Sequence, residues 1–162
     1  MDYVELRLKT AFSFQYGASS PEELCARAKE LNYSAIGLTD LNTLASAPRM
    51  HKACQEQGLK LCIGTEMSPE DAPTILLYAT NRHSYGLLSR LISLGRRRAA
   101  KRSCQLFLDD ILNHSKDLLA IAAPSTDADA LKSLKDCFED RFYVLCQRHF
   151  EADDIDRIQA AA

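Results

Sequence analysis

Tyr3-Val4-Glu5-Leu6-Arg7-Leu8-Lys9-Thr10-Ala11-Phe12-Ser13-Phe14-Gln15-Tyr16-Gly17-Ala18-Ser19-Ser20 decides how the rest of the chain is read. Val4, Leu6 and Leu8 alternate with Glu5, Arg7 and Lys9, the period of a strand with one apolar and one polar face. Gly17 permits a turn. Ser20, Pro21 and Glu23 then supply the N-cap, the N1 proline and the N3 glutamate of a capping box. Strand, glycine turn and helix start, in that order, is where α/β proteins place their chemistry. Arg7 and Lys9 occupy the polar face, where a metal enzyme of this layout would place imidazoles.

Outward from that stretch, strand and helix signals alternate. Leu24, Ala28 and Leu31 recur at helical spacing behind the capping box. A buried strand is predicted over 34–39 with Asp40 at its end, and another over 59–64 that ends at Thr65 and Glu66. Between them a helix runs from about Thr43 to Gln57, with Pro48 near its first turn or at a kink and Gly58 as its C-cap. Leu44, Ala47, His51 and Cys54 share one stripe of that helix, which makes His51 a packed histidine rather than a ligand. The pattern continues as strand 74–79, helix 84–94 ended by Gly95, short helix 107–114, strand 117–122, helix 127–138, strand 142–146 and a closing helix 153–161. This alternation predicts an α/β fold with about six strands in a parallel sheet covered by helices, either open or part of a barrel. In both cases the strand C-termini carry the site. Asp40, Glu66, Arg7 and Lys9 are the candidates there.

Composition sets the bounds. The 162 residues suffice for one domain with a sizeable core. The net charge of -2 excludes a general polycation, so any nucleic-acid contact must come from a local patch. Arg96, Arg97, Arg98, Lys101 and Arg102 form such a patch: it could neutralise phosphates, or complement the C-terminal dipole of a solvated helix end. No aromatic residue interleaves with it, so this segment alone does not suggest single-strand readout. The six cysteines never form C-x-x-C and none stands at metal-ligand spacing from a histidine. No apolar run approaches the ~20 residues of a membrane span. The chain reads as a reduced, soluble, cytoplasmic protein without a membrane partner. No nucleophile–base set, glycine-rich phosphate loop or catalytic residue is recognisable.

Specific motifs carry a resemblance. Phe12-Ser13-Phe14-x-x-Gly17-Ala18-Ser19, Pro21-Glu22-Glu23-Leu24, Leu38-Thr39-Asp40 and Gly58-Leu59-Lys60-Leu61-Cys62-Ile63-Gly64-Thr65-Glu66 resemble the polymerase-and-histidinol-phosphatase (PHP) domain of bacterial C-family DNA polymerases, the DNA polymerase III alpha subunit type. Asn81-x-x-x-Tyr85-Gly86 continues the resemblance, and Gly95-Arg96-Arg97-Arg98-Ala99 is most similar to the error-prone, damage-response branch. The resemblance implies a distorted (β/α)7 barrel with metal ions at the strand C-termini. It makes the chain a single PHP-like domain over 1–162, incomplete before the family's last metal motifs and lacking the polymerase core. The family's His-x-His motif falls on Arg7 and Lys9, its next acidic ligand on Tyr16, its Asp-His pair on Asp40 and Leu41, its glutamate on Glu66 and a later histidine on Thr74. Only Asp40 and Glu66 keep the expected chemistry.

Two oxygen ligands without imidazoles do not make the N/O site of a phosphoesterase, and two cations beside them repel a metal. Arg7 and Lys9 are expected to replace the metal's charge and ion-pair across the vanished site. The preferred reading is therefore a metal-free, cofactor-free scaffold. It would be the N-terminal platform of an error-prone polymerase, docking other polymerase domains or accessory subunits. The alternative is a metal-dependent phosphoesterase, a 3′–5′ exonuclease or a pyrophosphatase, with a rebuilt site. An incomplete barrel would also expose a sheet edge and self-associate.

Overall fold

The computed structural model describes residues 3–123 and 127–146. Among these lie six strands, in the order β1 (Glu5–Leu8), β2 (Ala35–Leu38), β3 (Lys60–Met67), β4 (Ile75–Ala79), β5 (Leu118–Ala122) and β6 (Phe142–Val144), hydrogen-bonded side by side in chain order. The helices are α1 (Pro21–Glu30), α2 (Ala47–Gln57), α3 (Arg82–Arg98), α4 (Leu108–Leu112) and α5 (Ala128–Phe138). The predicted helix 153–161 lies outside the described residues.

The α/β class stands, but the sheet is mixed rather than parallel. Strands β1–β2, β2–β3 and β5–β6 pair parallel, whereas β3–β4 and β4–β5 pair antiparallel. The reason is the connection. A parallel crossover takes a dozen or more residues, and only the short loop 68–74 joins β3 to β4. That loop can only fold the chain back on itself.

The sheet curls into a half-barrel. Tyr78 on β4 donates its hydroxyl hydrogen bond to the Leu6 carbonyl on β1, although three strand spacings separate these strands along the sheet. In a flat sheet that path is about 14 Å. Gly64 makes the approach feasible, because a Cβ there would lie 2.7 Å from the Tyr78 ring.

Outside the curl, Ile75 and Leu77 of β4 pack with Leu88 and Leu91 of α3, Leu134 and Phe138 of α5, and Ile111 of α4. A second apolar cluster joins Ile36 and Leu38 of β2 to Cys25 and Ala28 of α1 and Met50 and Cys54 of α2. The Cys25 and Cys54 sulfurs are 3.5 Å apart and fully buried, and burial pushes the Cys25 thiol up to about 12. These are inert packing groups, as expected for free cysteines on apolar faces.

Helix ends follow the sequence in part. Ser20 and Glu23 form the capping box, and Gly58 ends α2 in the left-handed conformation. Leu31, however, is exposed at the C-cap of α1, with Cys25 and Ala28 buried in its place. His51 is also exposed, because α2 begins at Ala47 and its buried face runs through Met50, Ala53 and Cys54.

Gly95 does not end α3, which continues through Arg98. It is instead the point where the helix meets the returning chain: a Cβ would lie 2.6 Å from Cys104 Sγ and 2.8 Å from Leu106 Cγ. Gly95→Ala should therefore destabilise the fold despite better helix propensity. Overpacking costs about 1–3 kcal/mol and the propensity gain returns at most about 1. A midpoint shift in urea unfolding, with unchanged slope, is the measurement that checks it.

Candidate functional site

Asp40 follows β2 at the C-terminal end of the strand and is fully buried. Every donor it meets among the described residues is neutral. Thr10 donates from its backbone N at 2.7 Å and from Oγ1 at 2.8 Å, Ser13 donates from Oγ at 2.6 Å, and Ser46 donates from its hydroxyl. Thr10, Ser13 and Ser46 are themselves buried. The cradle extends through the backbone: Leu41 N donates to Ser13 Oγ, Glu66 N to the Asp40 carbonyl, and Thr65 Oγ1 to the same carbonyl. Asp40 is thus the acceptor that ties the loop after β1 and the start of α2 to the end of β2.

Glu66 lies on β3, 6% exposed, and its Oε2 accepts from Arg7 Nε at 2.8 Å and from Lys9 Nζ at 2.7 Å. Burial opposes ionisation of this carboxyl. The two cations outweigh it, through their hydrogen bonds first and their charge second, and hold Glu66 below the usual carboxylate range. The pairing spans β1 to β3 over the intervening β2, so the curl of the sheet brings the three groups together. Among the described residues, the expected ion pairs form around Glu66 and not around Asp40.

The donor set does not fit the metal cluster that the family resemblance implies. Metal ligands need free lone pairs and a cavity of compensating negative charge. The Asp40 oxygens already accept four hydrogen bonds, and a single Glu66 oxygen carries both cations. Among the described residues no three His, Cys, Asp or Glu side chains converge as a metal-holding group.

The side chains at the other three substituted positions add no ligand to that network, although the Leu41 backbone joins it through Ser13. Tyr16 and Leu41 line an open cleft of about 610 Å³ beside it. Thr74 precedes β4, and its Oγ1 is 3.4 Å from Ser68 Oγ. His51 and His83 are exposed, and His149 lies outside the described residues.

The basic segment divides by task. Arg98 is structural: it holds Asp110 through two bonds of 2.6 and 3.1 Å, stands over the Phe107 ring, and so docks α3 against the start of α4. Asp110 is held low by Arg98 and also accepts from Phe107 N. Arg96 donates to the Asn42 carbonyl at 3.0 Å and lines the same cleft as Arg102. Arg97 lines a different groove with Arg90 and His114. Lys101 is exposed.

Sequence reading missed Thr10, Ser13 and Ser46, because hydroxyl residues scattered over 36 positions carry no period or motif spacing. A buried strand ending in Asp was the available signal, since a fully buried carboxylate requires donors from somewhere.

Comparison with known proteins identifies the family and the fold. Residues 5–149 match the family described as PHP domain. The chain is similar to the error-prone DNA polymerase of Rhodopirellula baltica, with 36% identity over 95% of the chain. It is also 41% identical, over 97% of its length, to the error-prone DNA polymerase of Pseudomonas paraeruginosa. It spans about 15% of the length of these relatives. Among solved structures it resembles a protein of Bifidobacterium adolescentis whose metal-dependent phosphoesterase activity is inferred, with a TM-score of 0.68, 15% identity, and coverage of 99% of this chain and 83% of that one. It also resembles a lesion-specific endonuclease of Pyrococcus furiosus, with a TM-score of 0.58, 15% identity, and coverage of 85% and 39%. At that identity the likeness speaks for the fold alone.

Proposed function

This chain belongs to the PHP domain family, and from that premise we propose that it is a non-catalytic, metal-free member. In this reading residues 1–162 form one PHP-like domain, the N-terminal platform of an error-prone DNA polymerase. Such a polymerase would work in the cytoplasm, in repair and translesion synthesis after DNA damage. The domain stabilises the polymerase and docks its other domains or accessory subunits. The observation that carries the reading is the state of the two surviving acidic residues: Asp40 is saturated by neutral donors, and Glu66 is neutralised by Arg7 and Lys9. Cationic side chains supply the charge balance that a metal would otherwise supply. No helix among the described residues is long and apolar enough to cross a membrane.

The alternative, a metal-dependent phosphoesterase acting on 3′ DNA ends or pyrophosphate, draws support from the fold it shares with proteins described as phosphoesterase and endonuclease. It requires ligands beyond Asp40 and Glu66. Metal titration separates the two readings. With zinc or manganese added to chelator-treated protein, the melting temperature should stay constant, and no hydrolysis of a single-stranded DNA end or of pyrophosphate should appear. Saturable stabilisation amounts to RT ln(1 + [L]/Kd) and reaches about 2.7 kcal/mol at a hundredfold excess over Kd. Stabilisation of that kind, accompanied by hydrolysis, would overturn the scaffold reading.

A further inference from the structure

The loop 12–16 has a property that the polar network beneath it does not use. Ser13 is 3% exposed and anchored on Asp40, while its neighbours Phe14 and Tyr16 are 83% and 68% exposed. Backbone bonds from Tyr16 N and Gly17 N to the Ser13 carbonyl, with Gln15 in the left-handed region, hold the turn. Gly17 closes it, since a Cβ there would lie 2.2 Å from the Thr10 carbonyl oxygen. Phe12 is fixed beneath the Arg49 guanidinium, which is itself paired with Glu22. The two outer rings add nothing to the core, yet the backbone that presents them is ordered by a buried carboxylate.

These rings face cations. Phe12, Phe14, Tyr16 and Leu41 line the 610 Å³ cleft together with Arg96 and Arg102. Among the described residues neither arginine is in an ion pair. Arg96 spends one nitrogen on the Asn42 carbonyl and keeps its remaining donors. Aromatic faces beside arginine forks are what an unpaired nucleotide strand requires, with bases stacked on the rings and phosphates held by the guanidinium groups. A duplex hides its base faces and an acidic peptide has no flat rings to stack, so single-stranded nucleic acid fits the whole constellation best. We propose that this cleft binds single-stranded nucleic acid, with bases on Phe14 and Tyr16 and phosphates on Arg96 and Arg102. The proposal requires no metal at Asp40 or Glu66, although the loop depends on Asp40 for its anchor.

Fluorescence anisotropy of a labelled oligothymidylate, longer than the ~4–16 nucleotides that one small binding fold covers, tests the proposal on the 162-residue chain. Phe14→Ala and Tyr16→Ala should each weaken binding by about 5- to 150-fold, the range for losing one stacked base. Phe14→Tyr should keep the affinity of the parent. Arg102→Gln should reduce the slope of log affinity against log salt by about 0.7. All three side chains are exposed enough for the four variants to melt with the parent protein. Absence of binding at low salt overturns the proposal. So does binding that ignores Phe14 and Tyr16 while tracking the arginines, which would mean backbone electrostatics only. Displacement of the strand by polyglutamate at equal charge also overturns it, and would assign the cleft to an acidic peptide.

Discussion

Asp40→Ala should cost more than about 4 kcal/mol, or abolish folding outright, with no metal present. The side chain is fully buried and accepts from Thr10 N, Thr10 Oγ1, Ser13 Oγ and Ser46 Oγ. Removing it strands four donors in a closed space, and each buried unsatisfied donor costs about 1–3 kcal/mol. The costs do not simply add, because the hydroxyls can rotate and a water can enter the vacated volume. Even partial summation exceeds the usual range for a point substitution and is a large fraction of the ~5–15 kcal/mol stability of a domain. Asp40→Asn keeps one acceptor oxygen but turns an amide donor toward hydroxyls that must then reverse, so a smaller loss of about 2–3 kcal/mol is expected.

The ordering Asp40→Ala worse than Asp40→Asn is also what separates a structural carboxylate from a metal ligand. A ligand aspartate in a metal-free protein is an uncompensated buried charge. Its removal then leaves stability unchanged or improves it. Urea unfolding of the parent and the two variants in chelator decides the matter, and a stable Asp40→Ala protein would sink the structural account. The same substitution should loosen loop 12–16, since Ser13 loses its anchor. Faster amide exchange at Tyr16 and Gly17 would report that local effect, even in conditions where the whole domain stays folded.

How far the sequence reveals this arrangement depends on whether a feature is local. The capping box at Ser20 and the Gly58 stop are set by neighbouring residues and are read correctly. The α2 stripe is misread because Leu44 lies before the helix, and phasing on it places His51 on the buried face. Gly95 is misread for a different reason. A glycine near a basic run has the signature of a helix stop, but here the missing side chain makes room for Cys104 and Leu106, a contact that sequence spacing does not encode. Strand direction between β3 and β4 was legible in principle, since seven residues cannot carry a crossover. At the site, the family's ligand positions identify Arg7, Lys9 and Glu66 as neighbours. The partition of charge between Glu66 and Asp40 needs the curl of the sheet. Likewise, the aromatic residues of loop 12–16 are some 80 positions or more from Arg96 of α3 and Arg102 just beyond it, and they meet only in the fold.

Glu66→Gln should be the second most damaging change, with a cost of about 2–4 kcal/mol near neutral pH. It preserves shape and removes the charge that compensates Arg7 and Lys9, whose side chains are only 26% and 15% exposed. Breaking a buried pair from one side costs about 3–5 kcal/mol, and the partial exposure of both cations reduces it here. Acid should reproduce the loss in the parent protein. The folded Glu66 lies below its unfolded value of 4.5, so the folded state binds this proton less readily than the unfolded chain does. Its contribution is complete above that value and disappears as pH falls through the lower folded one. Stability of the parent should therefore decline below about pH 4.5 more steeply than that of Glu66→Gln, and the two curves should converge in acid. A triple change, Arg7→Met with Lys9→Met and Glu66→Leu, should recover much of the loss, because an apolar replacement of a buried ion network removes its desolvation cost along with its attraction. If that triple variant folds and unfolds in urea near the parent's midpoint, the charges serve the fold alone.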